Sequence, residues 1–512
     1  MWTDELYTFY FSRLPSVSDI WAALSTGADQ IPPLFHIITR ASFSLFGVNH
    51  LSIRLPEVLG FWVMSLSLFR FVSKRSAALY GFAAMLFPLV TVAYDYAYEA
   101  RPYGLVLGFC GLALLCWQSA AEGHHRKLPL LGLAVSFAAA VSSHYYAVLL
   151  FFPLAIGEVV RSCSRRHLDL PIWIALGSAM TPILLFLPLI EGAKTYSAHF
   201  WSPPQWEAIP GFFYFLLLPA GPPLVAMLML SAIYLTPHPI DPCHRSQVSR
   251  PAPPFYELAA AFGFVAIPVV AVILAKLVVG AFTFRYALPA VMGFSILLAF
   301  AASRLLDGRA VMGAALVLFS CSWFLVMDVL YFKQTRAVSL GQAKTYRFLQ
   351  SESESELPIV VSDIHTFMKL VHYAPRNIAA RFVYLADPEA ALRHLGSTTI
   401  DRGMLDLKPW FRLKVEEYGS YVTSQQRFLV LARSFDDQGK LWNRGQISKL
   451  TWLFFELTAA SRRIELRGQN EDDLLFLVSP KEQSEDSGSY HHAGSAGPCN
   501  RGEGDSVQPL NQ

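Results

Sequence analysis

A succession of long apolar stretches separated by short charged loops constrains this chain more than any other feature. Predominantly apolar runs cover residues 54–72, 76–95, 102–121, 128–160, 171–190, 211–235, 256–280, 287–305 and 310–332. A helix crosses the hydrocarbon of a bilayer in roughly 20 residues. Each run therefore predicts one span, except 128–160, which is too long for one and is broken by Ser142-Ser143-His144. Nine runs with one divided make ten spans. With 54% hydrophobic and 15% charged residues, the chain is too apolar for an ordinary soluble protein. No Lys/Arg-rich patch points to nucleic acid.

The placement of the basic residues tests this count. With residues 1–53 outside, the inner loops hold Lys74 and Arg75; Arg126 and Lys127; Arg161, Arg165 and Arg166; Arg245 and Arg250; Arg304 and Arg309. The short outer loops after the first span hold only Arg101, Lys194 and Arg285. This is the positive-inside bias, and joining 128–160 into one helix would export Arg161, Arg165 and Arg166. An even number of spans returns residues 333–512 to the outside. The expectation is a multi-pass protein of the cell inner (plasma) membrane with an extracytoplasmic C-terminal domain.

Four regions follow. Residues 1–53 form an extracytoplasmic first loop with an amphipathic helix from Leu34 to Val48, entered by Pro32-Pro33 and ended near Gly47. Residues 54–332 form the transmembrane helical domain. Residues 333–480 read as a small α/β domain, with strands at Leu357–Ser362, Arg381–Leu385, Phe428–Ala432 and Leu474–Val478. Helices at Asp363–Tyr373 and Pro388–Leu395 lie between them. Residues 481–512, rich in Ser, Gly, Asp and Glu, read as a disordered tail. The fold class is an α-helical polytopic membrane protein with a small C-terminal α/β domain.

Two acidic clusters stand on the outer face: Trp2-Thr3-Asp4-Glu5 and Asp95-Tyr96-Ala97-Tyr98-Glu99. Asp4 and Glu5 suit a general base or a metal ligand; the alternative is a pair of solvated acids. Asp95 and Glu99 are four apart, which predicts one helical face at the outer end of the second span. Carboxylates at a membrane boundary usually face a cavity or a partner. Four outer helix starts carry a polar or cationic residue: Arg54 before Leu55-Pro56, Arg101 before Pro102-Tyr103, His144 before Tyr145-Tyr146, and Arg285 before Tyr286. Free N–H groups and the positive end of the macrodipole favour phosphate there, and a guanidinium holds two of its oxygens at once. The alternative for these arginines is interfacial snorkelling or a salt bridge to Glu99 or Asp95. No cysteine pair has zinc-like spacing, and the outer histidines His36, His144 and His199 show no distinctive spacing with Glu5. No cofactor is assigned, and the acids leave room for a divalent metal.

Taken together, Asp4-Glu5, Asp29-Gln30-Ile31-Pro32-Pro33-Leu34-Phe35, Phe46-Gly47, Arg54-Leu55-Pro56, Glu99-Ala100-Arg101-Pro102-Tyr103 and Arg285-Tyr286-Ala287-Leu288-Pro289 form a pattern. It resembles the GT-C-fold membrane glycosyltransferases over about residues 1–332. The likeness is greatest to bacterial relatives of the dolichyl-phosphate-mannose–protein mannosyltransferases and the aminoarabinose–lipid A transferases. The resemblance implies a polyprenyl-phosphate-linked sugar donor, a lipid, glycan or protein acceptor reached from the outer face, and inversion at the anomeric carbon. It maps the catalytic aspartate onto Asp4, its motif neighbour onto Glu5 and the second-loop acid onto Glu99. Lipid-phosphate binding maps onto Arg101 and Arg285. Arg54, Asp95, Tyr103, His144 and Tyr286 complete the expected substrate-binding set. The rival class is a transporter or lipid-binding membrane protein without catalysis, in which the acidic first loop has no role. Family members carry a transmembrane helix directly before the Asp-Glu pair, so a further apolar helix is expected upstream of Met1.

Overall fold

The computed structural model describes residues 1–123, 125–235, 252–306, 310–351, 356–433, 452–470 and 473–481. Arg245, Arg250, Arg309 and the tail from 482 lie outside the described residues.

The first loop folds as α1 (Thr3–Ser12), α2 (Val17–Leu24) and α3 (Leu34–Phe46). α2 opens in a capping box: Asp19 N donates to Ser16 Oγ at 3.0 Å, and Ser16 N donates to Asp19 Oδ2 at 2.9 Å. α3 is the amphipathic helix read from the sequence. It buries Phe35, His36, Thr39, Ser42 and Phe43 and ends at Gly47, whose φ of 74° suits a residue without a Cβ.

The apolar part comprises α4 (His50–Ser73), α5 (Ala78–Leu86), α6 (Tyr103–Glu122), α7 (Lys127–Ser143), α8 (Phe151–Arg165), α9 (Leu170–Ser178) and α10 (Thr181–Leu185). It continues with α11 (Leu187–Lys194), α12 (Ala208–Leu217), α13 (Gly221–Leu235), α14 (Phe255–Val265), α15 (Ile267–Leu274), α16 (Ala290–Leu305) and α17 (Ala310–Ser351). Five helical segments are long and apolar enough to cross a bilayer: His50–Ser73, Tyr103–Glu122, Tyr145–Arg165, Ala208–Ala232 and Ala310–Arg336. Two more are bent pairs, Leu170–Leu185 with Leu187–His199 at 61° and Phe255–Val265 with Ile267–Val279 at 49°. Pro188 and Pro268 sit just after the two bends, where the ring removes a backbone donor. Ala78–Val90, Lys127–Ser143 and Ala290–Leu305 are shorter apolar helices. Every apolar run is thus helical, and 128–160 divides at His144, which is extended at φ −155°.

α4 and α6 pack through glycine. A Cβ on Gly60 would fall 2.4 Å from Leu105 Cα, and one on Gly108 would fall 2.5 Å from Gly60 O. Gly104 and Gly108, four apart, give α6 the small-residue face that lets two membrane helices approach closely. This closeness brings Glu57 of α4 against the first turn of α6.

The two ends of the bundle differ in their charges. At the far ends of α4 and α6, Arg75 bonds Glu257 at 2.6 Å and also pairs with Glu122, and Lys74 bonds Glu122 at 3.3 Å. Arg126 pairs with Asp169 at 2.6 Å, and Arg161 with Glu158 at 2.7 Å and Asp169 at 2.9 Å. These cations are held by acids on α6, α8 and α14 and at the start of α9. Asp4, Arg54, Arg101 and Arg285 lie at the opposite end.

α17 has 42 residues, about 63 Å at 1.5 Å per residue, or about twice the thickness of the hydrocarbon. Its start packs beside Tyr80, and Tyr331 meets Tyr98 at the Asp4 end. The helix therefore delivers the C-terminal unit to the end that holds Asp4. That unit contains β1 (Ile359–Val361), β2 (Phe382–Ala386), β3 (Val415–Glu417), β4 (Phe428–Arg433), β5 (Arg462–Gln469) and β6 (Asp473–Pro480), in the order β3-β2-β1-β4-β6-β5. The first four in that order are parallel, and β6 and β5 add antiparallel neighbours. β1 and β2 are buried along their whole length, as parallel strands covered on both faces are. α18 (Ile364–Tyr373) follows β1, with Asp363 accepting from Thr366 N at 2.7 Å as its cap. Leu6, Phe11, Leu14, Ile20 and Leu24 of the first loop join Ile359, Phe367, Phe382 and Met404 in one buried cluster. The first loop and the C-terminal sheet share a core.

Candidate active site

The first acidic cluster forms the opening turn of α1, and its two acids face different partners. Glu5 is 1% exposed. Arg54 Nε donates to its Oε1 at 2.7 Å and Arg54 Nη2 to its Oε2 at 2.8 Å. Trp2 N and Ala100 N each donate to it at 3.1 Å. Glu5 therefore ties together α1, α4 and the segment before α6. Burial pushes the Glu5 carboxyl up, but its bonds with Arg54 and Ala100 N outweigh this and hold it below its ordinary value. Arg54 does not begin a helix, because α4 starts four residues earlier at His50. Its guanidinium is committed to Glu5 rather than open to a phosphate.

Asp4 turns toward Arg285, whose Nη1 lies 2.7 Å from Asp4 Oδ2 and 3.8 Å from Glu99 Oε1. Arg285 comes from the 3-10 turn Phe284–Ala287 that precedes α16. Its guanidinium lies 5.8 Å from the centroid of the Trp2 ring and 5.7 Å from that of Tyr103, within cation–π range. Beside it opens a pocket lined by Tyr103, Val106, Leu107, His144, Tyr146, Ala147, Arg285, Tyr286, Leu288 and Pro289. Tyr146 and Tyr286 stack at 4.4 Å, and the His144 ring is 5.0 Å from Tyr286 and 5.6 Å from Tyr103.

The two carboxyls flanking Arg285 are pushed apart in acidity. Burial raises Asp4, but the positive charges of Arg285 and Arg101 outweigh it and hold Asp4 below its ordinary value. Burial pushes Glu99 up to about 8; Arg285 opposes this from a longer distance, and the Asp4 charge adds to the rise. At neutral pH Asp4 is ionised and Glu99 carries its proton. Such a split between neighbouring acids is how sites assign acid and base roles.

Arg101 is the main departure from expectation. It is 8% exposed, and its Nη2 and Nη1 donate to Asp29 Oδ1 at 3.0 Å and Oδ2 at 3.3 Å. His36 Nε2 closes the group on Asp29 Oδ2 at 3.2 Å, so His36 partners Asp29 and not Glu5. The first turn of α6 is also occupied, because Leu105 N donates to Glu57 Oε2 at 2.9 Å. Both features expected to hold phosphate at this helix start are filled by internal carboxylates. Arg101→Ala is accordingly expected to act on folding. It leaves Asp29 buried with a lost partner, a loss worth about 3–5 kcal/mol. Thermal unfolding in detergent checks this, with Arg101→Lys expected to fall between the two. A wild-type melting temperature with impaired donor use would return Arg101 to a phosphate role.

Asp95 and Glu99 do not share a helical face. Val92–Ala97 is a 3-10 turn, and the chain leaves it at Tyr98. A 3-10 turn aligns residues three apart, so Asp95 is exposed while Glu99, beyond the turn, is turned inward. Among the described residues, no three His, Cys, Asp or Glu side chains gather as a metal cage.

Residues 30–190 match the model of the family described as dolichyl-phosphate-mannose-protein mannosyltransferase. No curated protein sequence matches the chain. Among solved structures, ArnT from Cupriavidus metallidurans bound to undecaprenyl phosphate aligns over 93% of this chain and 96% of its own. The TM-score is 0.52 and the identity 11%. The chain has the GT-C fold of membrane glycosyltransferases. The same protein in the apo state aligns over 92% of this chain and 96% of its own at a TM-score of 0.41 and 15% identity.

Within this GT-C fold the expected residues divide into three groups. Asp4, Glu99, Tyr103, His144, Arg285 and Tyr286 meet at or beside the pocket. Glu5 and Arg101 are buried in ion pairs around it, Glu5 with the half-buried Arg54 and Arg101 with Asp29. Asp95 stands apart on the surface. The family match covers Arg54, Asp95, Glu99, Arg101, Tyr103 and His144 and leaves Asp4, Glu5, Arg285 and Tyr286 outside it. Sequence reasoning missed Glu57 and Asp29 as partners. Glu57 was detectable as a lone acid inside an apolar run, a placement that usually marks a buried pairing.

Proposed function

We propose that this chain transfers a sugar from a polyprenyl-phosphate donor to an acceptor hydroxyl or amine on the extracytoplasmic face of the inner membrane. The observation that carries this reading is an ionised carboxylate, Asp4, and a guanidinium, Arg285, meeting at the edge of one aromatic pocket. The undecaprenyl phosphate bound to ArnT supports a lipid phosphate as the donor's leaving group. Among the described residues, Lys74, Arg75, Arg126 and Arg161 pair at the opposite end of the bundle, which supports the outer placement of the site and of the C-terminal unit.

In this reading Asp4 takes the proton from the acceptor as its oxygen or nitrogen bonds to the anomeric carbon. The bond from that carbon to the phosphate oxygen breaks, and the electron pair leaves on the phosphate. Arg285 offsets the growing charge, which is worth most where water is excluded. One in-line displacement inverts the anomeric carbon. Tyr103, His144, Tyr146 and Tyr286 offer the flat apolar surfaces on which a sugar ring or the first isoprene unit rests. The sugar is a hexose or pentose, and the acceptor a lipid, glycan or protein.

The test uses membranes containing the protein and a panel of radiolabelled polyprenyl-phosphate sugars. Release of free polyprenyl phosphate that depends on Asp4 supports the proposal. Binding of the donors without release of any of them would favour the lipid-binding alternative.

A pH dependence follows from Glu99. It is neutral below about pH 8 and gains a charge above it, 3.8 Å from the guanidinium that receives the phosphate. Donor KM is therefore expected to rise as pH passes 8, because the new negative charge competes for Arg285. In Glu99→Gln that rise is absent while the low-pH KM is retained. Initial rates at varied donor concentration from pH 6 to 9 decide it, and an identical KM profile in both proteins removes Glu99 from donor binding.

A further inference from the structure

We infer that the C-terminal α/β unit sets the position of Asp4, with His365 as the positioning residue; this rests on the reading of Asp4 as the base. The opening turn of α1 has an intrinsic weakness. Its N-cap is Trp2, whose side chain makes no cap bond, so the turn lacks the acceptor that Ser, Thr, Asp or Asn would supply there and keeps only the return bond from Trp2 N to Glu5 Oε2 at 3.1 Å. Glu5 is locked from the α4 side by Arg54 and Ala100. The other side of the turn is held from the C-terminal unit. His365 Nδ1 and the Thr3 Oγ1 hydroxyl hydrogen-bond at 2.7 Å, and Thr3 is 3% exposed. Asp4 lies between these two locked residues, Thr3 and Glu5.

The C-terminal unit is built to present His365 rigidly. β1 is buried throughout and ends just before Asp363, which caps α18. Ile364, Phe367, Met368 and Leu370 bury the inner face of that helix. His365, in its first turn, is therefore fixed by strand, cap and core. A second contact from α18, His372 edge-on to Phe9 at 4.7 Å, docks the same two helices further from Asp4. That contact separates docking from positioning.

A base displaced by about 1 Å from its productive geometry costs on the order of 100-fold. In the full-length protein, His365→Ala is expected to lower kcat about 10- to 100-fold with donor KM unchanged. His365→Asn keeps a polar atom near the Nδ1 position and is expected to recover most of the rate. Thr3→Val should reproduce the loss and add nothing to His365→Ala, because both remove one bond. His372→Ala should lower the melting temperature and leave kcat near wild type. Asp4→Asn run beside them separates the two ideas. If Asp4→Asn is inactive while His365→Ala and His365→Asn both turn over like wild type, only the positioning role falls. If His365→Ala and His372→Ala lose kcat equally, the contact is plain docking and the inference is overturned. A fully active Asp4→Asn removes the base and the positioning role with it.

Discussion

Asp4→Asn is expected to lower sugar transfer by about 100–10,000-fold, the usual worth of a general base, in a protein that still folds. The amide keeps the shape of the side chain and accepts a hydrogen bond from Arg285, yet cannot take the acceptor's proton. Folding should survive because Asp4 holds one partner at one end of the bundle, whereas Glu5 holds three groups. Glu5→Gln makes the converse case. It breaks the bidentate pair of the buried Glu5 with Arg54 and weakens the grip on Ala100 N, so it should lower the melting temperature more and the rate less. Transfer rates and unfolding curves for both variants test this crossing of effects. Wild-type turnover in Asp4→Asn together with an inactive Glu99→Gln would move the base to the second cluster. Glu99 holding its proton at neutral pH argues against that arrangement.

The sequence carried the fold far better than it carried the partners of the charged residues. Helices reveal themselves by apolar runs of membrane length, and the break at His144 was legible because an overlong run needs one. The strands β1, β2, β4 and β6 were visible as apolar segments. β3 and β5 were not: Val415–Glu417 has three residues, and Arg462–Gln469 is an edge strand made mostly of polar residues. At the site, residue types were legible and pairings were not. A guanidinium before a helix reads the same whether it awaits a phosphate or holds an acid 72 positions away, as Arg101 holds Asp29. Asp95 and Glu99 were assigned one face by assuming an α-helical period where the chain forms a 3-10 turn. The contact of His365 with Thr3 spans 362 positions and joins two regions that looked like separate domains, so local pattern had no means of showing it.

Arg285→Ala is expected to remove about 100–1,000-fold of kcat, the scale set by loss of a donor to a developing anion in a dry site, with Lys restoring part of it as a point charge. The argument is by commitment. Arg54 is taken up by Glu5 and Arg101 by Asp29, each in a two-nitrogen grip. Arg285 holds Asp4 through one nitrogen and stands at the pocket. It also restrains the base it pairs with, because its charge keeps Asp4 below the usual carboxylate range. A donor phosphate that draws Arg285 toward itself relaxes that hold and makes Asp4 more basic at the moment of transfer. Removing Arg285 should therefore move a second observable in a definite direction. Asp4 must be ionised to act, so activity falls as pH drops through its pKa. Without the guanidinium that pKa rises, and the acid limb of the rate profile shifts to higher pH in Arg285→Ala. In Arg285→Lys the limb should stay near its wild-type position. A low rate with an unmoved acid limb would mean that Arg285 serves the phosphate alone; an unchanged rate would mean that the phosphate is held elsewhere.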